Sequence, residues 1–144
     1  MTTLVRGLRE DELHKVADIW MRAGLPYRPT GRDSPENLRM QWAAQPKFFI
    51  GAFDDDVLVG VAIATDDGRK GWINRLAVVP EARGRGVAKA IVAECERIFR
   101  DMGRVVFCIM IEGENDASEH LFEGLGYKHE KDIRYYAKRL GQNL

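Results

Sequence analysis

The stretch Asn74-Arg75-Leu76-Ala77-Val78-Val79-Pro80-Glu81-Ala82-Arg83-Gly84-Arg85-Gly86-Val87-Ala88-Lys89-Ala90 decides the fold. Its first half is apolar and β-branched, a strand in composition, and Pro80 ends it. Gly84 and Gly86 then open directly onto a helical period. Over residues 86–102, Val87, Ala88, Ile91, Val92, Cys95, Ile98, Phe99 and Met102 share one stripe, and Gly103 stops it. A helix start exposes unpaired N–H groups and a partial positive charge, so a glycine turn there suits a phosphate. The two glycines let the backbone approach a ligand, and small Ala88 keeps the first turn open. Arg75, Arg83, Arg85 and Lys89 outnumber Glu81 across this stretch, and a guanidinium can fork onto phosphate oxygens. The dinucleotide fingerprint fails because Lys89 stands at its sixth position, and the P-loop ending Gly-Lys-Ser/Thr is missing. A tight turn without a ligand is the competing reading of the glycines.

Working outward toward the C-terminus, Val105-Val106-Phe107-Cys108-Ile109-Met110-Ile111 is apolar at every position, as expected of a strand covered on both faces. Strand, crossover helix and strand predict a parallel pair, 71–79 with 105–111. Asn115 caps a further helix carrying Ala117, Leu121, Phe122 and Leu125, stopped by Gly124 and Gly126. A hairpin over about 127–131 and 133–140 is predicted to end the chain. Toward the N-terminus, residues 3–8 read as a strand, and Leu13, Val16, Ala17, Trp20 and Gly24 mark an amphipathic helix over 10–24. The loop 25–33 is rich in breakers, and Ser34-Pro35-Glu36 starts a helix bearing Leu38 and Trp42. Strands 48–53 and 57–64 flank Asp54-Asp55-Asp56, which reads as a hairpin turn before a cation site. Asp66-Asp67-Gly68-Arg69 turns into the strand that begins at Gly71. The fold class is α/β: a mixed sheet of about seven strands flanked by about four helices, in one domain over 1–144.

Composition bounds the function. In 144 residues, 22 Lys and Arg balance 22 Asp and Glu, with 45% hydrophobic and 31% charged residues. A chain this long buries about 70% of its unfolded surface, so a core forms without disulfides or metals. A neutral chain lacks the cationic surplus that coats nucleic acid. Cys95 and Cys108 are too few for a zinc site or a disulfide framework, read as core residues, and leave no metal-ligand set. No signal peptide and no apolar run long enough for a membrane span is visible, so a cytoplasmic location is expected.

The chain resembles the GCN5-related N-acetyltransferases (GNAT family), whose hallmark (Gln/Arg)-x-x-Gly-x-(Gly/Ala) is matched by Arg83, Gly86 and Ala88. Leu76-Ala77-Val78-x-Pro80 and Asn115-x-x-Ser118-x-x-Leu121-Phe122-x-x-Leu125-Gly126-Tyr127 also resemble that family, and the element order agrees. The resemblance implies a GNAT-like sheet whose parallel strand pair splays apart to hold acetyl-CoA or another acyl-CoA. Backbone groups of Leu76, Ala77 and Val78 would meet the pantetheine arm as an added strand does. N–H groups of Arg83, Gly84, Arg85, Gly86, Val87 and Ala88 would hold the pyrophosphate. Asn115, Ser118 and Phe122 would line the cofactor arm, while Asn115 serves equally as a helix cap. The implied activity is N-acyl transfer to a small-molecule or protein amine. Relatives are often homodimers, although no stripe here identifies an interface.

Acyl transfer to an amine needs a base, an oxyanion donor and an acid for the departing thiolate. The N–H of Leu76 or Ala77 would serve the oxyanion. Residues 71–79 lack the carboxylate that some relatives carry, which leaves Glu112, Glu114 or a carboxylate acting through water as base; Glu112 and Glu114 each read more readily as surface charges. Many relatives have Tyr where this chain has Phe122, and Phe cannot donate a proton. Tyr135, Tyr136 and His120 are the other donors, and alternation along a strand would aim only one of the two tyrosines at a site. Tyr27, Arg28, Arg32, Arg39 and Trp42 occupy the region resembling the acceptor lid, and its arginines suggest an acceptor with a carboxylate or phosphate. A catalytically idle acyl-CoA-binding domain, and an interaction domain whose glycines only shape a turn, are the alternatives.

Overall fold

The computed structural model describes residues 3–113, 115–142 and 144. Five strands form one sheet in the order β1-β2-β3-β4-β5: β1 Thr3–Gly7, β2 Phe49–Asp54, β3 Val57–Asp66, β4 Gly71–Val78 and β5 Phe107–Ile109. The first three pairings are antiparallel and β4 with β5 is parallel. Four α-helices accompany it: α1 Val16–Ala23, α2 Pro35–Ala44, α3 Val87–Asp101 and α4 Asp116–Gly124.

Local signals explain most boundaries. Ser34 Oγ accepts from the Asn37 N–H at 3.2 Å and starts α2. Asp55 and Asp56 both have positive φ, the turn geometry that matches strand twist in a two-residue hairpin. The predicted helix over 10–24 is divided: Glu10–Lys15 is a 3-10 segment, and only then does α1 begin. Glu12 explains the tight first turns. Its carboxylate takes both Arg6 nitrogens at 2.8 Å and the Arg9 N–H at 2.8 Å, tying β1 to the helix start.

The core lies on both faces of the central strands. The stripe of α3 buries Val87, Ile91, Val92, Cys95, Ile98 and Phe99 against β2, β3 and β4. Gly71 lets the Phe99 ring lie directly on the β4 backbone. On the other face, Val16, Ile19 and Trp20 of α1 cover β3 and β4.

Two sequence expectations are corrected. The sheet has five strands instead of about seven, because residues 127–140 form no strand and are almost wholly exposed. Charged residues make up half of that segment (Lys128, Glu130, Lys131, Asp132, Arg134, Lys138 and Arg139), and its apolar side chains Ile133, Tyr135, Tyr136 and Leu140 stay exposed. In consequence β5 is an edge strand. Its run is not covered on both faces: Val105 is 89% and Met110 54% exposed, and Cys108 is only half-buried.

Candidate acyl-CoA cleft

The parallel pairing of β4 and β5 covers only Gly71 with Phe107, Trp72 with Cys108 and Ile73 with Ile109. Beyond Ile73 the pairing ends, and β4 runs on to Val78 with no paired strand on that side among the described residues. On its other side β4 is bulged: Arg75 and Leu76 together lie opposite the single Ala62 of β3. Apart from the Val78 carbonyl, which accepts from Arg83 Nε, the strand therefore carries edge groups outside any strand pairing, the arrangement an extended ligand can join by backbone pairing. Leu76 is half-buried, while Ala77 and Val78 are buried.

β4 leads through Val79 and a 3-10 turn over Pro80–Ala82 to the turn that opens α3. Gly84 has φ 75° and Gly86 φ 80°, and a Cβ at either would meet nothing within 4 Å. Backbone conformation, not crowding, calls for glycine there, and the space above the turn is open. Gly86 is the N-cap of α3 and offers no side-chain acceptor, so the first-turn N–H groups lack the usual cap. An open, uncapped start of a 15-residue helix fits a diphosphate.

The side chains of the turn do less electrostatic work there than their types suggest. Arg83 donates from Nε to the Val78 carbonyl and from Nη2 to the Ala23 carbonyl, each at 3.1 Å. It ties the turn to the end of α1, and its N–H is already taken by the Pro80 carbonyl at 3.2 Å. Arg22 pairs with Glu81. Arg85 and Lys89 lie exposed at the helix start, whereas Arg75 faces α1 and the 25–33 loop. There its guanidinium stacks over the Trp20 ring at 4.4 Å from the centroid, with Asp33 3.6 Å away.

Beyond β5 in the chain, Asn115 is exposed and caps α4, its Oδ1 accepting from the Ser118 N–H at 3.1 Å. Ser118 is half-buried. Phe122 is 3% exposed and meets the Tyr127 ring edge-on at 5.1 Å. Tyr127, half-buried, donates its hydroxyl to Glu96 Oε2 at 2.7 Å and so bolts the end of α4 to α3. Burial, followed by the Glu96 carboxylate, pushes this phenol well above its ordinary value. The sequence reading used Tyr127 as a motif letter and missed that role, since its partner is 31 residues away.

The candidate proton carriers are dispersed. Glu112 is exposed just past β5, within electrostatic reach of Arg75. Glu114 lies outside the described residues. Tyr135 and Tyr136 are 68% and 84% exposed in irregular chain, so strand alternation does not apply to them. His120 is exposed on α4. In the lid region, Tyr27 packs on Trp20, while Trp42 donates to the Leu8 carbonyl at 2.8 Å, a fold contact. Asp33, absent from the sequence reading, is 8% exposed and accepts from the Arg28 N–H at 2.7 Å. Cys95 is buried, and burial pushes its thiol up to about 12, which makes it an inert core residue.

Comparison with known proteins agrees with this architecture. An acetyltransferase of Photorhabdus laumondii is 30% identical over 138 residues, 94% of each chain. One of Sodalis glossinidius is 29% identical over 136 residues, again 94% of each. The crystal structure of PaiA N-acetyltransferase from Thermoplasma acidophilum in complex with coenzyme A shares the fold. It superposes with a TM-score of 0.77 at 21% identity, covering 90% of this chain and 92% of that one. No helix among the described residues is long and apolar enough to cross a membrane. The model of the GNAT acetyltransferase family matches residues 13–127, which span the parted strands, the glycine turn and the cap of α4. By that match and by its parted sheet, the chain belongs to the acetyltransferase (GNAT) family.

Proposed function

We propose that this chain, as a single domain over 1–144, is an acyl-CoA-dependent N-acyltransferase. It moves an acetyl group from acetyl-CoA to a primary amine by direct attack in a ternary complex. The observation that carries the reading is the continuity of the parted β4 edge with the uncapped, open start of α3. Relatives named as acetyltransferases and a fold neighbour solved with coenzyme A support it. Two unpaired thiols, Cys95 and Cys108, accord with a reducing compartment, and we place the reaction in the cytoplasm.

Acetyl-CoA would supply an activated acyl group on a thiol leaving group. The N–H groups of Gly84 to Ala88 would hold its diphosphate, and the edge of Leu76 to Val78 its pantetheine arm, with Asn115, Ser118 and the α4 face alongside. The bulge at Arg75 and Leu76 takes backbone groups out of the ladder, so an N–H of Leu76 or Ala77 can serve a developing oxyanion. As the amine nitrogen bonds to the acyl carbon, its surplus proton passes to Glu112, directly or through water. The carbon–sulfur bond then breaks, and the thiolate takes its proton from water or from Tyr135 or Tyr136. A thiol is acidic enough, with a pKa of about 8.5, to leave without a strong acid.

Phe122 favours a second reading, an idle acyl-CoA-binding domain, because a buried hydrocarbon ring gives no proton to sulfur. Calorimetric titration with acetyl-CoA, followed by thiol release across a panel of amines, separates the readings. Binding with release supports the enzyme, and binding without release for any amine supports the idle domain. Absence of binding at sub-millimolar ligand overturns both.

A further inference from the structure

Arg75 is held in a conformation that its own fold does not repay. Its φ is 54°, in the left-handed region that favours glycine, although it stands within a strand. The β4 bulge turns the side chain onto the Trp20 ring and under the 25–33 loop, where only 23% of it stays exposed. Nε and Nη2 are both buried without a hydrogen-bond acceptor. The nearest carboxylate oxygen, Asp33 Oδ2, is 3.6 Å from Nη2, too far for a hydrogen bond, and already accepts from the Arg28 N–H. A buried guanidinium in this state is rare, because unmade hydrogen bonds to a cation are costly.

Charge around it is equally unbalanced. Arg28 and Arg32, on the same loop, lie close enough to act on Arg75 electrostatically, and Glu112 faces it from beyond β5. Desolvation, with these two arginines, lowers the Arg75 pKa against the opposing pull of Asp33 and Glu112. Three arginines and two carboxylates, Asp33 buried and Glu112 exposed, thus share one neighbourhood beside the bulge at Arg75 and Leu76. Strain, orphaned donors and surplus positive charge coincide in one side chain.

We infer that Arg75, flanked by Arg28 and Arg32, binds a carboxylate on the acceptor, so that the acceptor is a small amino carboxylate. A planar carboxylate matches the guanidinium fork; it would meet the fork at its exposed edge, and the 25–33 loop would have to give way for it to reach the two covered donors. Asp33 and Glu112 already offset part of the charge, which suits a monoanion better than a dianionic phosphate. Stacking on Trp20 fixes the fork before the ligand arrives, so little rotamer entropy is lost on binding. Glu112 on the far side of the same guanidinium then stands near the amine of such a molecule. The inference rests on the proposed function above, of which it names the acceptor class.

The test uses amino acids paired with their carboxamides as acceptors, with thiol release as the readout. The wild-type chain is expected to prefer the carboxylate by about tenfold or more in kcat/KM. Arg75→Gln should bring the ratio near unity with acetyl-CoA affinity within about twofold. Arg75→Lys should keep part of the preference. Arg75→Gly, which relieves the backbone strain, should also lose the preference, so a poorly folding Gln variant does not block the test. Equal use of carboxylate and amide, or a preference that survives Arg75→Gln, overturns the inference. A phosphorylated amine preferred over every amino acid overturns the carboxylate assignment. Should no acceptor turn over, N-acetyl amino acids and their amides are titrated calorimetrically onto the chain with and without coenzyme A. Tighter binding of the carboxylate, abolished by Arg75→Gln, supports the site, and equal or absent binding overturns it. Failure of acetyl-CoA itself to bind is the separate failure of the proposed function.

Discussion

Replacing Gly86 by alanine separates what the turn costs the fold from what it gives a ligand. Gly86 has φ 80°, and a Cβ there meets no protein atom within 4 Å. The protein's own penalty is therefore backbone strain alone, about 1–2 kcal/mol. For a chain of this length that is a fall of about 2–8 °C in Tm. Gly103, at the opposite end of α3, has φ 82° and an equally open Cβ direction, so Gly103→Ala carries the same strain far from the turn. If a diphosphate rests on the first-turn N–H groups, the Gly86 methyl group intrudes on it. Acetyl-CoA affinity should then fall by at least about tenfold, or 1.4 kcal/mol, while Gly103→Ala leaves it unchanged. Gly86→Asp adds like-charge repulsion of about 3 kcal/mol per phosphate charge at about 5 Å and an effective dielectric constant of about 20. Differential scanning fluorimetry reads the strain and calorimetry the affinity. If Gly86→Ala and Gly103→Ala lose equal Tm and neither loses affinity, the phosphates are not at this turn.

Three further outcomes follow from named contacts. The Arg6 hydrogen bonds, and then the Arg9 N–H, hold the Glu12 carboxyl at about 2, below its ordinary 4.5. The stability gained is fully present above pH 4.5 and is lost as the pH falls toward 2. It is worth at most about 3 kcal/mol, less what solvent screens at Arg6, which is 31% exposed. Urea denaturation should show Glu12→Gln less stable than wild type at pH 7, the two converging near pH 2; a gap constant with pH would refute the pairing. Gly71→Ala drives a methyl group into the Phe99 ring and should cost about 1–3 kcal/mol by overpacking, a loss that Phe99→Leu should relieve in the double variant. Arg83→Met removes the ties to Val78 and Ala23, worth about 1–2 kcal/mol. Acetyl-CoA binding should weaken with it as the turn loosens, and an unchanged Kd would limit Arg83 to stability.

Elements whose causes are local were legible in the sequence. Ser34 and Asn115 cap the helices they were expected to cap, Gly103 stops α3, and Pro80 ends β4. Each depends on one residue's own hydrogen bond or dihedral angle. The run 105–111 was misread because its apolar content registers a tendency to be buried, whereas coverage depends on whether another segment pairs with its outer edge. Residues 127–140 supply no such strand, so Val105 and Met110 stay in solvent. The start of α1 was blurred for a related reason. Periodicity saw one helix, while Glu12 reaches back to Arg6 and Arg9 and holds the first turns in 3-10 form.

The candidate site shows the same division, and there it changes the chemistry. In sequence, Arg75, Arg83, Arg85 and Lys89 form one basic cluster around the glycines. In space it divides. A bulge is invisible to composition, yet by placing Arg75 and Leu76 opposite Ala62 it turns Arg75 away from the glycine turn toward α1. Arg83 is spent on the carbonyls of Val78 and Ala23. In the proposed reading the turn binds anions through main-chain N–H groups, which any residue supplies and which demand glycine only where φ is positive, with Arg85 and Lys89 exposed beside it. The arginine freed from the turn becomes available for selectivity, at the one point of β4 where the strand is already broken. A neutral chain can thus hold two anion sites of different kinds. In the proposed reading, one is built from backbone and indifferent to the acceptor, and the other is built from Arg75 and its loop.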